Sequence, residues 1–346
     1  MAIIYQTSFD HYTTVLQRLN AVSSINGGTA TIGAFGRNST NGLRLQILNN
    51  AGNNASISTS IAVGNPSTLY IGFAFKTDSF VNTLFTTEST FFYVSEIANT
   101  HLTFSTTNVG TIRVYRGATL LATTAFAMLL NTWYHFEFKI TISTTVGVVE
   151  FKVNEVQQLN LTGINTQVGA IAEINSVSFY NGPAPSFLIT SNHQYDDVVI
   201  SNSGFTGDVQ VRAFLPTGLG ATNQWTPNTG TSVTATDESV PNDDTDYIST
   251  PTVNDLTLFT YGTIPSTSTI VAVVPIPYAK KTAAGTAKIK STVRHGGVNY
   301  PGAEKAPSDS AYEYQPDVLA INPGTGVAFT PSDWNAPIEI GPQRSA

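Results

Sequence analysis

The chain has 346 residues, room for one large β domain or about two domains, and 41% hydrophobic content excludes a disordered polymer. Charged residues make up only 11%, against roughly 25% in ordinary soluble domains. The net charge is −7 and the 16 basic residues are scattered, the densest knot being Lys280-Lys281 with Lys288 and Lys290, which excludes the basic footprint of a nucleic-acid binder. From the N-terminus, MAIIYQTSFDHY lacks the basic and apolar regions of a signal peptide. The stretch Tyr12–Val22 has the spacing for one or two helical turns. Leu43, Leu45 and Ile47 alternate with Arg44 and Gln46, so this segment predicts a strand with one buried face. Tyr70-Ile71-Gly72-Phe73-Ala74-Phe75 predicts an apolar strand, and Thr111-Ile112-Arg113-Val114-Tyr115-Arg116 alternates up to a turn at Gly117. Ala122–Leu130 is apolar but too short and strand-flanked for a persuasive helix.

The middle of the chain carries the strongest pattern. Tyr134, Phe136, Phe138, Ile140 and Ile142 fall on one face, with Trp133, His135, Glu137 and Lys139 on the other. Val149, Phe151 and Val153 form the matching strand after a short polar turn. Tyr195-Asp196-Asp197-Val198-Val199-Ile200 reads as a closing strand, and Ser201-Asn202-Ser203-Gly204 as a boundary. A new block opens at Gly207–Pro216 and enters a polar stretch from Thr217 to Asp246. Strand signals resume at Leu256–Phe259, Thr269–Val274, Ala287–Arg294, Tyr312–Tyr314 and Pro337–Ile340. Thr, Ser, Asn and Gly supply the polarity, as a turn-rich all-β protein requires. No fixed repeat is present, which excludes propellers and solenoids. No apolar run reaches the 18 or so residues of a membrane helix, so no membrane insertion is expected. There is no cysteine, hence no disulfide and no redox signal of compartment.

The Phe9-Asp10-His11-Tyr12 opening, the Trp133–Asn154 hairpin and the Asp196–Ile200 strand, in that order, resemble the concanavalin A-like (laminin-G-like) jelly roll. The opening, Gly207–Pro216, the Asp237–Tyr247 run and Trp334–Gly341 are similar to segments of tailed-bacteriophage proteins that carry this domain. The resemblance implies an all-β concanavalin A-like jelly-roll sandwich over residues 1–202 and a second, smaller β domain over 203–346. It implies a non-enzymatic virion structural protein of the tail, baseplate or fibre, assembled in the host cytoplasm. Its partners would be other virion proteins, copies of itself and a host surface glycan. A capsid decoration (cement) or head-fibre protein is the first alternative, and a cellular carbohydrate-binding module or glycosidase the second.

The residues themselves offer little catalytic chemistry. Glucanases of this fold class carry a Glu-x-Asp-x-Glu strand whose acids share a face, and no such motif occurs. Asp196-Asp197 invites a Ca²⁺ reading, against the reading that one Asp caps a turn and the other faces solvent. Asp237, Glu238, Asp243, Asp244 and Asp246 lack EF-hand spacing and read as a solvated acidic loop, with Ca²⁺ as the alternative. His11, His101, His135, His193 and His295 show no metal-ligand spacing, so no metal and no cofactor is expected. No Gly-x-Ser-x-Gly elbow is present. Four aromatic residues near turns or on a polar strand face, Tyr93, Trp133, Tyr180 and Tyr195, are the candidates for stacking on a sugar. For Trp133 the competing reading is packing under a loop or against a neighbouring subunit.

Overall fold

The computed structural model describes residues 3–7, 9, 21–37, 40–47, 54–60, 65–80, 88–96, 99–182, 190–238, 241–282, 285–336 and 338–346. Asp10, His11 and Tyr12 of the opening, and the expected helical turns up to residue 20, lie outside them. The chain divides into two compact units, Met1–Arg212 and Ala213–Ala346.

The first unit contains β1 (Ile3–Thr7), β2 (Ala21–Asn26), β3 (Gly28–Gly33), β4 (Gly42–Ile47), β5 (Asn54–Ser60), β6 (Thr68–Thr77), β7 (Glu88–Ser95), β8 (Thr100–Thr107), β9 (Thr111–Arg116), β10 (Thr119–Ala127), β11 (Tyr134–Thr141), β12 (Gly147–Val153), β13 (Val156–Ile164), β14 (Ser176–Gly182) and β15 (Ser191–Ser201). They form two antiparallel sheets. The first runs β13-β12-β11-β6-β15-β4-β3, with β1 also paired to β15; the second runs β10-β9-β8-β7-β14-β5-β2. The expected jelly-roll sandwich is therefore the architecture of this unit. Ala122–Leu130, with its ambiguous apolar pattern, contributes most of β10.

Period-two alternation builds the core. Phe136 and Phe138 of β11 project inward beside Phe73 of β6 and Phe151 of β12, and meet Phe92 and Phe104 of the second sheet. The Phe104 and Phe138 rings lie 4.6 Å apart edge to face, and Phe138 stacks on Phe151 at 4.6 Å. Such pairs add about 0.5–1.5 kcal/mol each beyond area burial. Register is set by short turns. Val153 pairs Val156 directly, and the two residues between, Asn154 and Glu155, hold φ of 46° and 66°. Two left-handed central residues make a type I′ turn, whose twist matches that of the flanking strands.

Residues 204–211 follow the closing strand without secondary structure and lie on the outer face of the first sheet. Phe205 packs edge-on against Tyr70 at 5.1 Å, and Gly207 N–H donates to Glu137 at 2.8 Å. The division into compact units lies at residue 212, beyond the expected 202, and places this strap with the sandwich.

The second unit contains β16 (Pro216–Asn223), β17 (Thr226–Pro227), β18 (Ile248–Ser249), β19 (Thr257–Tyr261), β20 (Tyr278–Ala279), β21 (Ile289–His295), β22 (Val298–Pro301), β23 (Glu313–Tyr314), α1 (Pro331–Asn335) and β24 (Glu339–Arg344). The main sheet runs β16-β19-β24-β21-β22, and β17–β18 and β20–β23 are two-stranded ribbons. Val273, Val293, Phe329, Ile338 and Ile340 form its core, with Trp334 packed against them. Of the strand expected at Thr269–Val274 only Val273 makes a ladder contact, an isolated bridge to Leu319. Thr330 caps α1 by accepting from Asp333 N–H, while the Asp333 carboxylate accepts from Thr330 N–H at 2.8 Å.

Candidate functional site

The outer face of the second sheet gathers polar and aromatic side chains in transverse rows. Tyr115 pairs with Thr103, Thr103 with Tyr93, and Tyr93 with Ser178, so the four stand side by side across β9, β8, β7 and β14. Paired residues share a face, and neighbouring strands lie about 4.8 Å apart, so Tyr115 and Tyr93 are roughly 10 Å apart across the sheet. Tyr180 of β14 sets its ring at 5.8 Å and 70° to that of Tyr93. Both rings remain half-buried.

A second row runs Arg113–Ser105–Thr90. The Thr90 and Ser105 hydroxyls are 3.0 Å apart. Glu88 accepts from the Tyr115 hydroxyl at 2.7 Å and from the Arg113 guanidinium. This fixes both side chains without another structural element. Burial, followed by the hydrogen bond to Glu88, raises the Tyr115 pKa; burial, followed by Tyr93, raises that of Tyr180. Both phenols stay neutral at physiological pH, the Tyr115 proton being held by Glu88. The face therefore offers aromatic surface, hydroxyl donors and acceptors, and one neutralised Arg–Glu pair. That is chemistry for holding a polyhydroxylated ligand.

Of the four aromatic candidates, Tyr93 and Tyr180 come together here. Trp133 does not: it precedes β11 of the other sheet, with the Lys76 ammonium 4.9 Å above its ring. Tyr195 cannot touch a ligand, because it is fully buried among Phe73, Phe75 and Phe179. Its single hydroxyl proton is shared between the carbonyls of Phe91 and Tyr180, each 2.7 Å from the oxygen. It points inward because it pairs in register with the buried Phe75 of β6, and paired residues share a face. Tyr195 nonetheless serves the site from behind, since it and His193 Nδ1, at 2.9 Å, both bind the Tyr180 carbonyl. Burial pulls the His193 imidazole down to about 4, so it binds as a neutral donor. The residues missed by sequence reasoning are Glu88, Arg113 and Tyr115; Arg113 and Tyr115 stood at i and i+2 on the polar side of an alternating strand.

The acids lie elsewhere. Asp196 and Asp197 are both buried, correcting the expectation of a turn cap and a solvent-facing partner. Asp196 Oδ2 accepts from Arg37 N–H at 2.7 Å and from the Thr40 hydroxyl at 3.0 Å. Asp197, left-handed at φ 50°, pairs with the Arg37 guanidinium at 2.9 Å and accepts from Val211 N–H at 2.7 Å. Arg37 also pairs with Asp208 at 2.6 Å and donates to the Val209 carbonyl at 3.0 Å. These groups clamp the strap. Burial foremost raises Asp196 to about 7, raises Glu137, and lowers His135 to about 4. In the second unit Asp244 pairs with Lys280 at 2.6 Å, and Asp243 accepts from the Tyr278 hydroxyl at 3.0 Å. Among the described residues no three His, Asp or Glu side chains converge as a metal site.

No family model and no curated protein matches the chain. Solved structures match at the level of fold. A cellulose-induced protein, Cip1, is 13% identical over 59% of this chain and 100% of its own, with a TM-score of 0.45. A protein of unknown function with a galectin-like fold from Bacillus subtilis is 12% identical over 58% of this chain and 96% of its own, TM-score 0.40. The alginate lyase Aly36B is 16% identical over 53% of this chain and 88% of its own, TM-score 0.37. Function is therefore argued from the residues themselves.

Proposed function

We propose that the first unit is a non-catalytic glycan-binding sandwich, of the concanavalin A-like kind, within a bacteriophage virion protein of the tail, baseplate or fibre. The observation that carries the binding reading is the perpendicular Tyr93–Tyr180 pair on a half-exposed face lined by Thr103, Thr90 and the Glu88–Arg113–Tyr115 group. The non-catalytic reading is supported by the acids: Glu137, Asp196 and Asp197 are spent on strap amides and on Arg37. The virion setting rests on the sequence resemblance.

A glycan array with the full chain, followed by titration of its best ligand, tests the site. Tyr93→Ala and Tyr180→Ala are each expected to weaken binding about tenfold, equivalent to ~1.4 kcal/mol. Unchanged affinity in both variants would move the site elsewhere. Polysaccharide turnover lost on Glu137→Gln or Glu150→Gln would overturn the non-catalytic reading. Electron microscopy of intact particles distinguishes a tail position from a capsid-coating one.

A further inference from the structure

We infer that the sandwich self-associates through one side, where the outer strands of its two sheets, β10 and β13, present a charge-free edge to a second copy of this chain. β10 ends the second sheet and β13 the first, and the two lie beside one another. Each is nine residues long. Among the described residues each pairs on one side only, β10 with β9 and β13 with β12. Their outer amides and carbonyls are therefore a template for another strand.

Proteins ordinarily blunt such edges with Lys, Pro, inward-pointing charge or bulges, and of these devices β10 and β13 show only register irregularities against β9 and β12. Here residues 117–134 and 156–172 contain no Asp, Glu, Lys, Arg or Pro. Instead the strip exposes Leu120 and Val156, with Leu129 and Leu130 just beyond β10. The opposite side of the sandwich is built differently. There the chain turns from β2 into β3 through Gly27, at φ 67°, which bridges Asn54 and ties the two sheets together.

Charge selects the occupant. Two copies of a chain with net charge −7 repel over most of their surfaces, and a neutral strip meeting the same strip escapes that repulsion. A twofold axis makes such a contact closed and self-complementary. Nine residues span about 30 Å, packed sheets stand about 10 Å apart and side chains reach about 5 Å beyond each sheet, so the strip measures roughly 30 by 20 Å. Two such strips bury about 1,200 Å², the lower end of stable interfaces. The contact would be an antiparallel edge pairing flanked by leucines, leaving the Tyr93 face free.

Light scattering after size exclusion, on the full chain at micromolar concentration, tests this. The wild type is expected at twice the monomer mass. Thr123→Lys with Ala125→Lys, or Asn160→Lys with Thr162→Lys, all at exposed positions, should halve that mass with an unchanged melting temperature. A wild-type monomer, or an oligomer indifferent to both lysine pairs, overturns the proposal. Hydrogen exchange on the wild type needs no variant. Dilution to the monomer should deprotect β10 and β13 selectively, and deprotection confined to other strands would refute the assignment.

Discussion

Removing the Arg37 guanidinium, as in Arg37→Met, should be among the most damaging single changes to the first unit. The structure separates two partners of the same side chain. Asp208 has a side chain 40% exposed, and ion pairs at that exposure contribute about 0–1 kcal/mol. Asp197 has a side chain only 5% exposed, and removing its partner leaves a buried charge uncompensated, at a cost of about 3–5 kcal/mol. The buried pair therefore dominates. For a unit of this size the loss corresponds to a fall of roughly 6–20 °C in melting temperature. Chemical denaturation of Arg37→Met, Asp197→Asn, Asp208→Asn and the two double variants would measure it as a pair of cycles. Coupling of Arg37 to Asp197 is expected at or above about 2 kcal/mol, and to Asp208 below about 1 kcal/mol. Equal couplings, or an Arg37→Met loss under ~1 kcal/mol, would refute the reasoning that burial sets the strength of this clamp.

Three further outcomes follow from the same geometry. The native His193 pKa of about 4 lies below the ordinary 6.5, so the unfolded chain binds a proton that the native state refuses. Its contribution, up to about 3 kcal/mol, is present above pH 6.5 and lost as pH falls toward 4. Asp196, raised to about 7, acts in the opposite sense over the same range. His193→Gln should therefore lessen the acid-induced loss of stability, measured as urea midpoints against pH; an unaltered pH profile would count against it. Tyr195→Phe removes the one buried donor shared by two carbonyls and should cost about 1–3 kcal/mol while weakening any ligand held by Tyr180, read by paired unfolding and binding titrations. Gly341 leaves no room for a Cβ against the Thr257 carbonyl, so Gly341→Ala should destabilise the second unit by about 1–3 kcal/mol in thermal unfolding.

The fold was legible wherever alternation ran undisturbed. In β11 and β12 the inward set Phe136, Phe138, Ile140, Val149, Phe151 and Val153 could be read directly, because both strands pair without a register shift. In β15 the same reasoning failed. The irregularity at Asp196-Asp197 breaks the two-residue period, so Tyr195 and Ile200 both face the core although five residues apart. Burial of the two acids was equally hidden, since their partner Arg37 lies 160 residues from Asp197 in the chain and only the fold brings them together. The candidate face was half legible. Tyr93 and Tyr180 were marked by type and position. Their union with Tyr115 and Glu88 depends on β14 pairing with β7 across eighty residues of sequence, and no local pattern encodes that pairing.

The clamp has a mechanical meaning. Val211 is anchored by Asp197 and stands one residue from the end of the first unit. Tension applied to the chain beyond that point reaches Val211, Val209 and Asp208 before it reaches the closing strand β15. The Val211–Asp197 hydrogen bond is thus the first to carry load and the Arg37 contacts to Val209 and Asp208 the next, and all of them sit outside the hydrogen-bonded ladders. Pulling can peel the strap from the sheet while every strand pair of the sandwich stays made. Such a sacrificial fastening dissipates a tug without unfolding the domain.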